Sequence, residues 1–355
     1  MGATACRSAA SCMPMALEHP ALPVEEPAPT PAGVEPIVKT VDLTRHFRVG
    51  GPFSGRQLHA ADEVNLSIGA NEIVALVGES GSGKSTVARL LARVYRPTAG
   101  EILYHGRSLR SMRTHRERLA YAGRVPMVFQ DPYGSLSPVY RVSHGVMRAL
   151  KLHRRELSGQ QRIQEAERIL KSVGLTPPRE FLKKYPYELS GGQRQRIGFA
   201  QALASRPELI LADEPVSMLD VSVRIGVLNL MADLRRKEGI SFLYITHDIA
   251  SARYVADRLV VMYAGKIAEQ GPVEDVLGNP KHPYTQLLLS AVPDPRVPVS
   301  LPASSEVAEP PRVIDPGEGC RFRWRCPYAI ERCSVETPQL RPLRPAHEAA
   351  CHVAK

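Results

Sequence analysis

A glycine-rich loop, Gly78–Thr86, constrains the possible folds of this chain more than any other feature. It reads Gly-Glu-Ser-Gly-Ser-Gly-Lys-Ser-Thr and fits the pattern G-x-x-x-x-G-K-S/T. The apolar run Glu72–Val77 predicts a buried strand before it, and apolar residues at helical spacing predict a helix over Lys84–Val94. A glycine turn between strand and helix points backbone N–H groups inward, and the helix N-terminus adds positive potential there. The loop therefore predicts a site for the phosphates of a nucleoside triphosphate.

Two side chains of this loop suggest its chemistry. Lys84 is expected to bring positive charge to the β and γ phosphates, and the Ser85 hydroxyl to bind magnesium. Phe47, just after the first predicted strand, is a candidate to stack on an adenine ring, although a single Phe there also suits core packing. The loop residues expected at the nucleotide are Gly78, Ser80, Gly81, Gly83, Lys84, Ser85 and Thr86.

Two acidic residues follow another apolar strand, predicted at Leu209–Ala212. We expect Asp213 to hold the magnesium ion, usually through water, and Glu214 to polarise the attacking water as general base. Two acids after a buried strand also occur in ordinary turns. The glycine-rich loop upstream favours the metal-nucleotide interpretation.

Gln130 and His247 come directly after two further predicted strands, Val125–Phe129 and Ser241–Ile245. Open α/β sheets bind their ligands at the carboxyl ends of the strands. We therefore expect Gln130 to sense the metal and its water as a metal ligand, and His247 to contact the γ-phosphate. Either residue alone would be an unremarkable loop residue.

Composition adds limits rather than a function. The chain has 355 residues and a formal net charge of +10, with arginines scattered along it, so charge alone predicts no partner. No apolar run approaches the ~20 residues needed to span a bilayer. Residues 1–35, rich in Ala and Pro, predict a disordered leader without the apolar core of a secretory signal, and a start at Met13 or Met15 is an alternative.

The remaining periodicity indicates how the chain is organised. Ile37–Leu43, Ala60–Ile68 and Gly100–Tyr104 are predicted strands. Between Pro132 and Pro186 the pattern becomes helical, most clearly over Gln160–Val173. We interpret residues 131–190 as an inserted helical subdomain.

The insertion ends in the string Leu-Ser-Gly-Gly-Gln, Leu189–Gln193, here named the signature segment. Ser190 suits a helix N-cap, and Gly191 and Gly192 leave room for an anion to approach the backbone. The chain itself needs no second anion site. The segment therefore predicts a phosphate supplied with another subunit.

In order, these segments resemble the A-loop, Walker A, Q-loop, signature, Walker B, D-loop and H-loop of an ABC transporter ATPase subunit. The matching residues are Phe47, Gly78–Thr86, Gln130, Leu189–Gln193, Leu209–Glu214, Ser217–Asp220 and His247. The segments that resemble the dipeptide/oligopeptide importer group are Gln130–Pro138, Tyr185–Glu188 and Asn279–Thr285. Met218, Tyr187 and Gln201 stand where that family usually has Ala, His and Arg. None of these departures removes a metal, phosphate or water-positioning group.

The resemblance implies an α/β fold: a P-loop NTPase (RecA-like) core with an antiparallel β subdomain and an inserted α-helical subdomain, over residues 36–278. A small C-terminal appendage, residues 279–355, would follow. It also implies a dimer with two ATP molecules, with Mg2+, sandwiched between subunits. The residues expected to act on the opposite ATP are Ser190, Gly191, Gly192, Gln193 and Asp220.

The partners implied are two transmembrane permease subunits, a second ABC ATPase (a sister chain or a copy) and an extracytoplasmic solute-binding protein. The chain would sit at the cytoplasmic face of the cell membrane and bind no nucleic acid. Residues 131–143 resemble the surface that receives the permeases. Nickel, glutathione or oligosaccharides are alternative cargoes. A non-transport ABC ATPase is a further alternative, disfavoured because the chain has neither a second cassette nor a long insertion between residues 84 and 190.

Four of the six cysteines lie near the C-terminus, beyond a proline-rich linker over residues 293–316. Their spacing, C-x5-C-x6-C-x17-C, fits no common zinc pattern. A [4Fe-4S] cluster, a zinc ion and unliganded thiols remain three alternatives, and the importer group's Gly-Cys-x-Phe-x-x-Arg-Cys-Pro tail favours the cluster. We expect Arg321, Arg323 and Arg325 to favour thiolates at these cysteines. The cysteines are Cys320, Cys326, Cys333 and Cys351.

Overall fold

The computed structural model describes residues 35–51, 55–131, 134, 136–291 and 313–354. The predicted leader, apart from Glu35, and most of the predicted linker lie outside these residues. Three residues of the predicted permease-facing segment (132, 133 and 135) also lie outside them.

The strands of the described residues form two sheets. In chain order they are β1 (Val38–Arg48), β2 (Gln57–Val64), β3 (Ser67–Ile68), β4 (Ile73–Val77), β5 (Ala99–Tyr104), β6 (Arg107–Ser108), β7 (Met127–Val128), β8 (Leu209–Asp213), β9 (Ser241–Thr246), β10 (Arg258–Tyr263), β11 (Lys266–Pro272), β12 (Arg341–Arg344) and β13 (His347–Ala349).

The α-helices of the described residues surround the larger sheet or belong to the predicted insertion. They are α1 (Lys84–Leu91), α2 (His115–Arg124), α3 (Val142–His153), α4 (Gly159–Ser172), α5 (Pro178–Lys183), α6 (Gly191–Leu203), α7 (Val221–Glu238), α8 (Ile249–Val255), α9 (Val273–Gly278), α10 (Pro283–Ser290) and α11 (Arg332–Val335). No helix in the described part of the chain combines the length and apolarity needed to cross a bilayer.

The larger sheet has the strand order β12-β13-β11-β10-β4-β9-β8-β7. Its strands β10, β4, β9, β8 and β7 are parallel, and β11, β13 and β12 extend it antiparallel. The parallel strands β4, β9, β8 and β7 are neighbours. Their carboxyl ends therefore meet along one edge of the sheet, where the predicted site residues follow them.

Burial on both faces explains why the parallel strands are continuous apolar runs. All five residues of β4 are fully buried, with Ile73, Ala75 and Val77 facing one core and Val74 and Leu76 facing the other. The first core lies against the helical insertion and the second against the smaller sheet. Alternation along the strand thus divides the interior into two layers.

The smaller sheet is antiparallel, in the order β2-β1-β5-β6, with β3 also paired to β1. The predicted strand Ala60–Ile68 is in fact two strands, β2 and β3, and between them the Asn65 side-chain amide donates to the Asp42 carboxylate at 2.9 Å. The helix predicted over Lys84–Val94 ends earlier, at Leu91.

The helical insertion holds α3, α4 and α5, which pack against each other and, through α3 and α4, against α6. Val146, Leu150, Ile169 and Leu170 are fully buried between them. The strand predicted at Val125–Phe129 shortens to β7, because the α2 helix runs to Arg124 and Phe129 is 45% exposed.

The cysteine segment, residues 313–354, pairs with a strand of each sheet. Ile314 bridges Leu58 of β2, and β13 pairs with β11 through Glu269 opposite Ala349. The buried side chains of His347 and Glu269 join the same strands, with Nε2 and Oε1 2.7 Å apart. The larger sheet thus continues into the segment that carries the four cysteines.

Candidate active site

The carboxyl edge of the larger sheet brings together the side chains predicted to bind and hydrolyse a nucleotide. The glycine-rich loop follows β4, Glu214 follows β8 and His247 follows β9. Gln130 comes two residues after β7. Parallel pairing of these neighbouring strands fixes the spacing between the groups.

The glycine-rich loop wraps around the Lys84 side chain. Lys84 Nζ donates to the carbonyl oxygens of Gly78 at 2.7 Å and Glu79 at 2.8 Å. Gly83 has φ 105°, and a Cβ there would collide with the carbonyl oxygen of Ala60, so this position requires glycine. Burial lowers the pKa of Lys84, while the carboxylates of Glu214 and Asp213, and of Glu79, oppose that shift. The amine is held where a phosphate would need a cation.

Ser85 and Asp213 form the oxygen pair expected of a magnesium site. Ser85 Oγ donates to Asp213 Oδ1 at 2.8 Å, across 128 residues of sequence. Asp213 is only 3% exposed, and this burial raises the pKa of its carboxyl group. A hydroxyl and a carboxylate side by side are the oxygen ligands that Mg2+ prefers. The donor set therefore fits this ion.

Glu214 lies between Gln130 and His247. Gln130 Nε2 donates to Glu214 Oε2 at 3.1 Å, and His247 Nδ1 lies 3.5 Å from the same oxygen. Its backbone is left-handed, with φ 46°, and its N–H donates to the carbonyl of Ile245 at 3.0 Å. The carboxylate is thus turned toward the two residues that the sequence predicts at the site.

Phe47 lies on β1, half-buried, with its ring edge-on to Tyr95 at a centroid distance of 5.3 Å. The Arg45 guanidinium sits 4.5 Å from the Phe47 ring centroid. Both alternatives for Phe47, adenine stacking and packing, remain compatible with this position. Ser80, Gly81 and Thr86 lie in the glycine-rich loop and the first turn of α1, with Ser80 and Gly81 exposed.

The signature segment occupies a different place. Ser190 caps α6 in a capping box, with Gln193 N donating to Ser190 Oγ at 3.3 Å and Ser190 N to Gln193 Oε1 at 3.1 Å. A Cβ on Gly191 would touch Leu219, and one on Gly192 would collide with Val223. Among the described residues, no hydrogen bond joins this segment to the glycine-rich loop. The two expected phosphate contacts of one chain thus belong to different elements, the loop after β4 and the start of α6.

Asp220 is exposed at the N-cap of α7, and its side chain makes no capping hydrogen bond there. Next to it, Met218 is 60% exposed and Val221 72% exposed. This apolar exposure lies at the end of the segment that also packs against Gly191 and Gly192.

The four cysteines gather in the cysteine segment as free thiols. Cys333 and Cys351 are buried, and Cys320 and Cys326 are partly buried. Burial raises the pKa of Cys320 to about 11, and it raises the pKa of Cys326 and Cys351 too. The Cys320 N–H donates to the Cys333 carbonyl at 2.8 Å, and the other three thiols each raise the pKa of Cys320 further.

The prediction that the neighbouring arginines favour thiolates is wrong. Arg321 pairs with the buried Asp62, and Arg325 pairs with the partly buried Glu79, because a carboxylate removed from water needs a counter-charge more than a neutral thiol does. Arg323 donates to the Cys320 carbonyl and stacks on Trp324. The guanidinium charges are thus used by other groups.

Sequence reasoning missed the residues around Asp62. His46, His59 and Arg321 all bond its carboxylate, and the two imidazole rings stack with centroids 3.8 Å apart. One ring nitrogen of His46, one of His59 and a carboxylate oxygen of Asp62 lie within 4.8 Å of one another, a spacing that could suit a metal ion. The Arg321 guanidinium, however, already pairs with this carboxylate and supplies the positive charge. No local sequence signal points to this cluster, since Asp62 and Arg321 are 259 residues apart.

Comparison with known proteins decides the family. The family model described as ABC transporter matches residues 61–217, and the one described as oligopeptide/dipeptide transporter, C-terminal region, matches residues 268–333. A probable peptide ABC transporter ATP-binding protein of Sinorhizobium fredii is 42% identical over 89% of this chain and 90% of its own length. A di/tripeptide transport ATP-binding protein of Pseudomonas aeruginosa is 40% identical over 91% of this chain and 99% of its own length.

The chain belongs to the ABC transporter ATP-binding proteins. A solved dimeric ATP-binding cassette in a post-hydrolysis state, bound to ADP and Pi, matches this cassette with a TM-score of 0.59 and 29% identity, covering 66% of this chain and 98% of that one. A dimeric bacterial ABC transporter cassette matches equally well, with a TM-score of 0.59 and 29% identity over 66% and 98% of the two chains. The predicted fold class is confirmed: an α/β P-loop NTPase core with an antiparallel sheet, a helical insertion and a C-terminal appendage. The chain is an ATPase subunit of the ABC class, and ATP is its nucleotide.

Proposed function

We propose that this cassette energises an importer of dipeptides or oligopeptides. The observation that carries the proposal is the match of residues 268–333 to the C-terminal region of oligopeptide/dipeptide transporters. Relatives named for peptide transport align with it over nearly their whole length, which supports the same cargo class. The cassette would turn ATP binding and hydrolysis into the closing and opening that drives transport.

For hydrolysis, Glu214 acts as general base on the attacking water. Its carboxylate lies 3.1 Å from Gln130 Nε2 and 3.5 Å from His247 Nδ1, so these residues orient it and the water beside it. His247, 59% exposed, is free to reach the γ-phosphate, and Gln130 senses the metal. Lys84 neutralises phosphate charge once it leaves the carbonyls of Gly78 and Glu79.

Ser85 and Asp213 are the side chains that would hold magnesium, with Gln130 completing the set. When bound with ATP, Mg2+ neutralises charge on the β and γ phosphates. Asp213 is buried and already accepts a hydrogen bond from Ser85, so it is oriented before the ion arrives. Phe47 and the exposed loop residues Ser80 and Gly81 would complete the nucleotide pocket.

Two cassettes would sandwich two ATP molecules, an arrangement supported by the similarity to solved dimeric cassettes. Ser190, Gly191, Gly192 and Gln193 then contact the partner's ATP, and Asp220 lies at the interface. The exposed apolar side chains of Met218, Val221 and Ile225 beside Asp220 favour a surface that a second subunit covers. The partner is a sister chain or a copy.

Two permease subunits would hold the pair at the cytoplasmic face of the membrane, and an extracytoplasmic solute-binding protein would deliver the cargo. Isolation of a tagged copy from native membranes tests this assembly. Two multi-span permeases and a second ATPase should co-purify, and a peptide-binding protein should identify the cargo. A nickel-, glutathione- or oligosaccharide-binding protein would overturn the peptide cargo, and ribosomal or DNA-repair partners without a permease would overturn transport.

We also propose that Cys320, Cys326, Cys333 and Cys351 hold a [4Fe-4S] cluster. Zinc bound at about 2.3 Å by thiolates needs sulfurs only about 3.8 Å apart. Among the described residues, no three of these sulfurs lie within 4.8 Å of one another. A cluster binds each thiolate to a different iron, so it suits a wider set of sulfurs.

Anaerobic purification followed by iron and sulfide assays and a visible spectrum tests the cluster. About four iron and four sulfide per chain are expected, with loss of both when Cys333 is replaced by Ser. Folded protein that is colourless and metal-free, or that holds zinc without sulfide, would overturn the proposal.

A further inference from the structure

The glycine-rich loop carries a negative charge that the hydrolytic chemistry does not use. Glu79, its second residue, sits in the loop meant to bind the most negatively charged part of ATP. Its N–H donates to Tyr284 Oη, outside the loop, at 2.8 Å. An unpaired carboxylate here would repel a triphosphate, so the fold must either remove this charge or compensate it.

The compensation comes from the cysteine segment, 246 residues away in sequence. Arg325 Nη1 donates to Glu79 Oε2, and Arg325 Nη2 to Glu79 Oε1, both at 2.9 Å. Two parallel bonds of this kind orient a carboxylate as well as neutralise it. The side chains are 15% and 23% exposed, so water screens the pair little.

The surroundings hold Arg325 in this geometry. Its guanidinium lies 5.8 Å from the Tyr263 ring centroid and 5.9 Å from that of Phe322. Next to it, Arg321 anchors the same turn by bonding Asp62 and the carbonyl of Ala264. The turn that carries Arg325 is therefore held by contacts that do not involve Glu79.

A second path to the loop runs through the turn between β10 and β11. Gly265 of that turn, directly after Ala264, donates to the carbonyl oxygen of Ser82 at 2.9 Å, inside the glycine-rich loop. Arg325 thus bonds the loop directly at Glu79, whereas Arg321 bonds Ala264, the neighbour of the residue that contacts Ser82. Both arginines belong to the stretch between Cys320 and Cys326.

We propose that Arg325 is a positioning residue of the nucleotide site, which neutralises and orients Glu79 so that the glycine-rich loop can accept the phosphates of ATP. The cysteine segment is then part of the ATP site rather than an independent appendage. The proposal concerns ATP binding by the cassette and does not depend on the proposed cargo, partners or cluster.

Equilibrium binding of a fluorescent ATP analogue to the purified full chain tests it. Arg325→Gln leaves the carboxylate unpaired and should weaken binding about tenfold, an effect that shrinks at high salt. Adding Glu79→Gln removes the repelling charge, so the double variant should bind within about threefold of wild type. In the holo complex, the Arg325→Gln change should raise KM for ATP more than it lowers kcat.

Arg332→Gln is the matched control, because Arg332 lies in the same segment and pairs with Glu336 at 2.6 Å on the exposed surface. It should bind the analogue like wild type. Arg325→Lys keeps the charge without the two-pronged geometry, and it should bind within about threefold even if Arg325→Gln does not fold.

Three results would overturn the proposal: wild-type binding by folded Arg325→Gln, a tenfold loss that Glu79→Gln does not restore, or an equally large loss in Arg325→Lys. A purely structural role would lower the melting temperature of Arg325→Gln without the rescue by Glu79→Gln.

Discussion

Glu214 shows how a single backbone angle serves the site. A non-glycine residue with φ 46° carries strain of about 1–3 kcal/mol, which the rest of the structure must offset. The bond from its N–H to Ile245 and the bond from Ser217 Oγ to its carbonyl, at 3.0 Å each, hold the peptide in place. The angle directs the carboxylate toward Gln130 and His247.

Asp62 of β2 pairs with Arg321 of the cysteine segment and so contributes to the packing of that segment. Burial alone would raise the pKa of its carboxyl group, but bonds from His46, His59 and Arg321 hold the pKa well below its usual range. Asp62→Asn leaves Arg321 buried without a counter-charge, which should cost about 3 kcal/mol in the free energy of unfolding. Chemical denaturation at pH 7 measures this loss.

The pH dependence of the free energy of unfolding tests the same role of Asp62. Because the folded state lowers the pKa of Asp62, its stabilisation is complete above pH about 4 and is lost as the pH falls further. Glu63→Gln is the control, since Glu63 is 58% exposed, and it should change the unfolding free energy by less than about 1 kcal/mol. An Asp62→Asn variant as stable as this control at pH 7 would contradict the assignment.

Thiol reactivity tests the state of the cysteines without metal. Burial raises the pKa of Cys320 from 9.0 to about 11, so the thiolate at pH 8 should be about 100-fold scarcer than in unfolded chain. Alkylation of Cys320, followed by peptide mass spectrometry, should rise with pH until about pH 11. A rate that levels off near pH 9 in folded, metal-free protein would refute the raised pKa.

At the scale of single residues, the site residues predicted from sequence lie at or just after the ends of neighbouring strands, and the structure places them along one edge of the larger sheet. The prediction fails for Arg321 and Arg325, which are adjacent to the cysteines in sequence but pair with other groups. Their partners Asp62 and Glu79 are more than 240 residues away, and only the folded chain brings them together.

Two helices begin with the same local structure and allow a controlled comparison at the scale of elements. Ser158 caps α4 and Ser190 caps α6, each in a capping box with the Gln three residues later. Both boxes satisfy the N–H groups that the helix start leaves unpaired. Only the Ser190 box lies in the signature segment.

Replacing each serine by alanine separates capping from binding. Ser158→Ala and Ser190→Ala should each lower the free energy of unfolding by about 1 kcal/mol, because each removes one cap. Ser190→Ala should in addition lower ATP turnover in the assembled complex by tenfold or more, while Ser158→Ala should leave it unchanged. Equal turnover of the two variants would show that Ser190 is only a cap.

The elements that sequence predicts best are those with strong local patterns. β4, β8 and β9 are continuous apolar runs, and α4 has a clear helical period. β13 was not predicted, because it is only three residues long and its pairing with β11 spans 78 residues. The local sequence therefore does not predict that β13 extends the larger sheet beside β11.

At the scale of the whole molecule, the chain brings Lys84, Ser85, Asp213 and Glu214 to one edge of the larger sheet, and the signature segment lies at the start of α6. The C-terminal segment completes that sheet and contacts the glycine-rich loop through Arg325. The fold class follows from sequence, and sequence also predicts the residues that the structure gathers at this edge, whereas the contact of the C-terminal segment with the glycine-rich loop requires the three-dimensional structure.

The most direct test of the account is the ATP hydrolysis rate of the native complex isolated through a tag on this chain. Glu214→Gln should lower turnover at least 100-fold while ATP affinity stays within about twofold of wild type, because the general base is lost and the phosphate contacts remain. Glu274→Gln, a change at a carboxylate 71% exposed, is the matched control and should hydrolyse ATP normally. Hydrolysis by Glu214→Gln at the wild-type rate would contradict the assignment of the catalytic base.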